Sequence, residues 1–172
     1  MLWELIATFS AGLGAAGIAL VLRLLTLKKL PSWIIPVAAG AGMLGYQIVN
    51  EYTWFDHQSS LLPAGVKVVR TVEETAAWRP WSYLYPQTMR FLAADIENAA
   101  RNQRNPEVYL VDLYIFERRM SARRIPQVVH CGKQARADFT DSLEIPLPGA
   151  ELGAEWFPLD TSDLLYQYLC QE

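Results

Sequence analysis

Histidine and cysteine are scarce in this chain, two of each among 172 residues, and no Cys-x-x-Cys, His-x-x-x-His or His-Glu-x-x-His arrangement occurs. That spacing excludes the usual zinc centres, which gather three or four such side chains around one ion. A G-x-S-x-G elbow and a Walker loop are also missing, and with them the common signatures of hydrolase and nucleotide chemistry. Gly12-Leu13-Gly14-Ala15-Ala16-Gly17 does fit G-x-G-x-x-G. It lies inside an apolar run rather than after a strand, so it is not a dinucleotide loop. Positive charge is short too: a formal net charge of −3 provides no field for a nucleic-acid backbone. The expectation is a non-enzymatic protein with no cofactor, no metal and no nucleic-acid partner.

Charge is nearly absent from the first 50 residues, which hold only Glu4, Arg23, Lys28 and Lys29. Leu5 to Leu22 is an uncharged run of 18 residues and Leu30 to Asn50 one of 21. As helices rising about 1.5 Å per residue, both are long enough for a hydrocarbon core of about 30 Å. Pro31 and Pro36 fall in the first turns of the second run, where a missing N–H costs least. Residues 1–52 are therefore expected to form a two-helix membrane hairpin. Met1-Leu2-Trp3-Glu4 lacks the basic start of a cleaved signal peptide, so the first helix is expected to stay attached.

The basic residues crowd the 23–31 connection, which places that loop in the cytoplasm and both termini across a bacterial inner membrane, in the periplasm. Trp3, Trp33, Tyr46, Tyr52 and Trp54 suit aromatic anchors at the two interfaces. Small residues recur at four-residue spacing: Ala11 and Ala15, Gly12 and Ala16, Ala38 and Gly42, Ala41 and Gly45. Such seams let helix backbones approach, either the two helices of the hairpin or those of another copy or membrane partner. No ionisable residue interrupts either run, so the hairpin reads as an anchor and not an ion pathway.

Residues 53–172 read as a periplasmic α+β domain: an antiparallel sheet with a packed C-terminal helix. Strands are expected at 66–72, 89–94, 107–118, 125–131 and 134–139, the third central because both its faces are apolar. Segment 142–155, rich in Pro, Gly and Glu, reads as a loop. Asp160 or Thr161 is expected to cap a terminal helix carrying the pairs Leu164/Tyr168 and Leu165/Leu169. Cys131 and Cys170, in a compartment expected to be oxidising, are expected to form a disulfide. A catalytic Cys131 beside His130 is disfavoured because strand neighbours point to opposite faces.

Three features invite a functional reading. Trp78, Trp81, Tyr83 and Tyr85 form an irregular aromatic stretch, either core or contact surface. Arg118, Arg119, Arg123 and Arg124 surround one hairpin turn, either as a solvated tip or as a site for an acidic partner or lipid headgroups. Asp112 breaks an apolar strand face, either paired with an arginine of the neighbouring strand or contacting a ligand.

The order of Phe91-Leu92-Ala93-Ala94-Asp95, a polar turn, the 107–118 strand, Val128-Val129-His130-Cys131 with Arg136 downstream, and Trp156-Phe157-Pro158 before Leu169-Cys170 resembles the surface-adhesin protein E family over residues 65–172. The resemblance implies an antiparallel sheet with a packed C-terminal helix and matches the family's two cysteines to Cys131 and Cys170. Members of that family are exported on a signal or lipoprotein peptide, whereas two apolar runs precede the domain here. The expected role is thus an accessory subunit of an envelope complex, binding membrane lipid and another protein or a second copy of itself. A membrane-tethered enzyme or small-ligand receptor is the alternative.

Overall fold

In the computed structural model, residues 2–27 and 29–171 are described, and the chain divides into two units, Met1–Asp56 and His57–Glu172. Lys28, counted above among the basic residues of the connection, lies outside the described residues.

In the first unit, Leu2–Leu25 forms helix α1, with Glu4 in its first turn and Arg23 in its last, the arrangement that complements the helix dipole. The few hydroxyls along it turn back on their own helix: Thr8 Oγ1 donates to Glu4 O at 2.7 Å and Ser10 Oγ to Ile6 O at 2.9 Å. Neither hydroxyl needs solvent there. Helix α2 runs Ile34–Ser60, ten residues past the end of the uncharged run at Asn50, so only its first part lies within that unit. Loss of hydropathy at Asn50 therefore does not end the helix. It also weakens the hairpin expectation: α1 alone among the described helices combines the length and hydropathy of a membrane span. Gln47 and Asn50 lower α2 below it.

The small residues pack α1 against α2. A Cβ on Gly12 would lie 2.5 Å from Met43 Cε, and one on Gly42 would lie 2.6 Å from Ala15 Cβ and 3.0 Å from Ala11 O. Gln47 Nε2 donates to Thr8 Oγ1 at 3.0 Å across the same seam, and Arg23 Nε donates to Leu30 O at 3.0 Å to tie the connection. Contacts that fall along α1 as they rise along α2 make the pair antiparallel. Ala38 and Ala41 line the groove between the helices with Ala15, and Ala16 is half-buried. Gly45, by contrast, faces open space, as do Gly14, Gly17 and Gly40.

Among the described residues of the second unit, seven strands form one antiparallel sheet: β1 (Val66–Glu74), β2 (Gln87–Asp95), β3 (Ala100–Arg101), β4 (Val108–Glu117), β5 (Arg123–His130), β6 (Ala135–Asp138) and β7 (Phe157–Pro158). Their order is β1-β2-β4-β5-β6-β7, with β3 also paired to β4. β4 is central, as its two apolar faces require. Edge strand β1 carries two register shifts, after Val68 and after Val72, which blunt it against pairing with another chain. Between β2 and β3 the chain makes a tight turn at Glu97 and Asn98. Asp95 accepts from the Asn98 backbone N–H at 3.2 Å and turns the chain into β3.

Helix α3 (Leu164–Cys170) packs Leu165 and Leu169 into a core with Val69, Ala94, Val111, Leu113, Val129 and Leu159. Its cap is Asp163, whose carboxylate accepts from Leu165 N at 2.9 Å. Asp160 instead accepts from Ser162 N at 3.0 Å, and Thr161 follows it in the same turn. The earlier Asx residue thus shapes the approach and the later one starts the helix. A helix of seven residues is too short to hold itself, so burial and a covalent bond must hold it. Cys131 and Cys170 supply that bond, with Cα atoms 5.5 Å apart.

Candidate functional site

Strand register brings together two segments that lie some 40 residues apart in the chain. Glu74 pairs with Gln87 across β1 and β2, Arg90 with Glu117 across β2 and β4, and Ile115 with Arg123 across β4 and β5. The β1–β2 connection (75–86) and the β4–β5 turn (118–122) therefore share one end of the sheet. A hydrogen bond from Arg118 N to Met89 O at 3.1 Å fixes the two hairpins side by side.

The 75–86 connection has a defined internal structure. Pro80–Tyr83 forms a single 3-10 turn, with Pro80 at its start where no N–H is needed. Buried Ser82 is its hub: its Oγ accepts from Ala76 N at 3.0 Å and donates to Arg79 O at 2.7 Å. Arg79 Nη1 donates to the buried Gln87 Oε1 at 2.6 Å, and the guanidinium stands 5.4 Å from the centre of the Trp78 ring. With its backbone held this way, the segment projects Trp78, Tyr83, Leu84 and Tyr85 outward at 77%, 63%, 79% and 70% exposure. The aromatic stretch is mainly surface; only Trp81 is half-buried.

The four turn arginines do not act as a unit. Arg118 is buried, Arg124 forms a 2.6 Å ion pair with Asp112, and Arg119 and Arg123 are exposed. Asp112 is thus the partner of a neighbouring-strand arginine, and its hydrogen bond and charge raise the Arg124 pKa. Met120, between the exposed arginines, is itself 62% exposed. Arg119 adopts φ +66°, a left-handed conformation that glycine takes more cheaply. Leu84 and Met120 escaped the sequence reading because isolated apolar residues in loops carry no periodic signal.

Elsewhere the candidate chemistry is dispersed. Buried His130 accepts from Lys133 N through Nδ1 at 3.3 Å, lies 3.8 Å from Glu107 Oε2 and meets the edge of Trp156. Burial lowers its pKa, and the Glu107 carboxylate opposes that shift only in part. Its neighbour Cys131 is in the disulfide and is no nucleophile. Asp112 and His130 stand four rungs apart along β4 and β5, His130 facing Val108, and His57 is exposed in the last turn of α2. A hollow of about 720 Å³ forms an open bowl within the 142–156 loop. Asn105 Nδ2 holds that loop through Pro146 O at 2.9 Å, and Lys133 Nζ through Ala150 O. Among the described residues no cluster of three metal-ligating side chains occurs.

No family model, curated protein or solved structure shows significant similarity to this chain.

Proposed function

We propose that the protein is a non-enzymatic binding module held at the bacterial inner membrane by α1 and α2 as a helical hairpin. In this reading residues 53–172 and both termini lie in the periplasm, the 23–31 connection lies in the cytoplasm, and the module serves as an accessory subunit that binds another envelope protein. The observation that carries it is α1, apolar all round, with Leu2, Trp3, Leu5, Phe9, Leu13 and Ile18 each more than half exposed. Such a surface is stabilised where the solvent is itself apolar.

Two further features support the reading. Gln47, one of the polar residues that depress the hydropathy of α2, is bonded to Thr8 across the helix pair, which is how a polar group is accommodated in lipid. The Cys131–Cys170 disulfide suits an oxidising compartment, which a periplasmic domain occupies. A partner protein would be met within the membrane along the outer faces where Gly14, Gly17, Gly40 and Gly45 leave open space. The dispersal of Asp112, His130 and His57 favours this module over a tethered enzyme or small-ligand receptor.

The test is protease added to intact spheroplasts, followed by gentle detergent extraction of the tagged full-length chain. Residues 61–172 are expected to be digested from outside, and the extracted protein is expected to migrate with a second chain. Protection until lysis would refute the topology, and recovery of the chain alone and monomeric would refute the accessory role.

A further inference from the structure

One end of the sheet combines exposed apolar and amphipathic side chains from one connection with exposed guanidiniums from another. We propose that this end docks on the anionic headgroup layer of a lipid bilayer, with Trp78, Tyr83, Leu84 and Met120 entering the interface and Arg119 and Arg123 pairing with headgroup phosphates. The proposal rests on the membrane-anchoring reading above and goes beyond it, since an anchored domain need not touch lipid.

The side-chain chemistry fits an interface better than it fits water. Trp and Tyr bury a ring while keeping a polar tip in the headgroup layer, and Leu84 and Met120 supply purely apolar contact. Arginine forks onto phosphate oxygens with two N–H groups. The charge distribution points the same way. Residues 51–172 carry twelve basic and seventeen acidic residues, a net −5, yet basic side chains dominate at this end. Its acids are Glu73, Glu74 and Glu117, and Glu74 is held by Arg90 at 3.0 Å.

Geometry adds a second argument. The Ser82 hydrogen bonds and Pro80 set the connection before any contact is made, so little ordering entropy opposes docking. Arg119 keeps a long cationic side chain at a left-handed position suited to glycine, an arrangement expected where the side chain has a task. Each arginine near an anionic surface is expected to strengthen docking about fivefold, equivalent to about 1 kcal/mol.

The experiment uses the full-length chain in lipid nanodiscs of phosphatidylcholine with or without phosphatidylglycerol. L84C is labelled with an environment-sensitive fluorophore while Cys131 and Cys170 stay oxidised, and M120C reports independently from the second hairpin. Both probes are expected to shift to the blue and to be quenched by spin-labelled lipid in the phosphatidylglycerol discs. Raising ionic strength should weaken both effects, and R119Q/R123Q should lower the docking equilibrium about 25-fold, fivefold per arginine. Probes that stay in water while the protein remains in the discs overturn the docking proposal and leave anchoring intact. Equal shifts with and without phosphatidylglycerol, unmoved by R119Q/R123Q, overturn the headgroup pairing. A shift seen in native membranes but not in discs overturns it in favour of an acidic protein partner. Protein that never enters the discs overturns the anchoring reading and the proposal with it.

Discussion

Reducing the Cys131–Cys170 bond is expected to take a large share of the stability of the sheet domain. The bond joins the end of β5 to the last residue of α3 and closes a loop of 39 residues. In the chain-entropy account, opening a loop of that length restores enough freedom to the unfolded chain to cost about 4 kcal/mol at 25 °C. For a domain of this size, each kcal/mol moves the midpoint by roughly 3–5 °C, so the expected fall is roughly 12–20 °C. The loss should be felt first at α3. Its seven residues cannot sustain a helix alone, and they stay in place through the Leu165 and Leu169 contacts and the covalent tie. The assay is thermal unfolding of the full-length protein in detergent, oxidised against reduced, followed by tryptophan fluorescence, with hydrogen exchange of 164–170 as the local readout. C131A/C170A should reproduce the reduced protein. Midpoints within about 3 °C of each other, or α3 amides exchanging no faster after reduction, would show that burial and not the staple holds this helix.

Other perturbations test other parts of the structure. Gly42→Val should separate the helix pair and lower the thermal stability of the solubilised protein by about 1–3 kcal/mol, because its Cβ would overlap Ala15 and Ala11; Gly45→Val, in open space, should leave stability unchanged. His130 has a folded pKa lowered by burial, so above the unfolded value of 6.5 both states are neutral and the full stability is present. As pH falls below 6.5 the unfolded chain takes up the proton first, and the urea midpoint should drop between pH 7.5 and 5.5; His130→Gln should flatten that dependence. Arg119→Gly should raise the unfolding free energy obtained from urea titration by about 0.5–1 kcal/mol by relieving the left-handed turn, while weakening binding to anionic bilayers. A stabilised variant with unchanged lipid binding would separate the turn's strain from any function.

Much of the domain was legible from local chemistry. β-Branched residues announced β1 and two apolar faces announced β4, and the five longer strands fall where they were expected, with shifts of a few residues at their ends. Boundaries slipped where two local signals compete. At α2, hydropathy falls at Asn50, yet Tyr52 and Phe55 stand three apart and suit a helix that carries on as an amphipathic one to Ser60. At α3, Asp160, Thr161 and Asp163 can all accept from a free N–H, and only the backbone path selects Asp163.

Composition and spacing by themselves determined that the N-terminal third is apolar, that the remainder is an antiparallel sheet with a closing helix, and that two cysteines were available to join. These properties depend on neighbours a few residues apart, which is the range over which hydrophobic period and turn chemistry act. Which arginine is buried, which is neutralised by Asp112 and which reaches solvent was decided only in three dimensions, as was the meeting of residues 78–85 with 119–123 at one end. Antiparallel register sets those distances, and register depends on pairing across the whole sheet, so no stretch of chain states it alone.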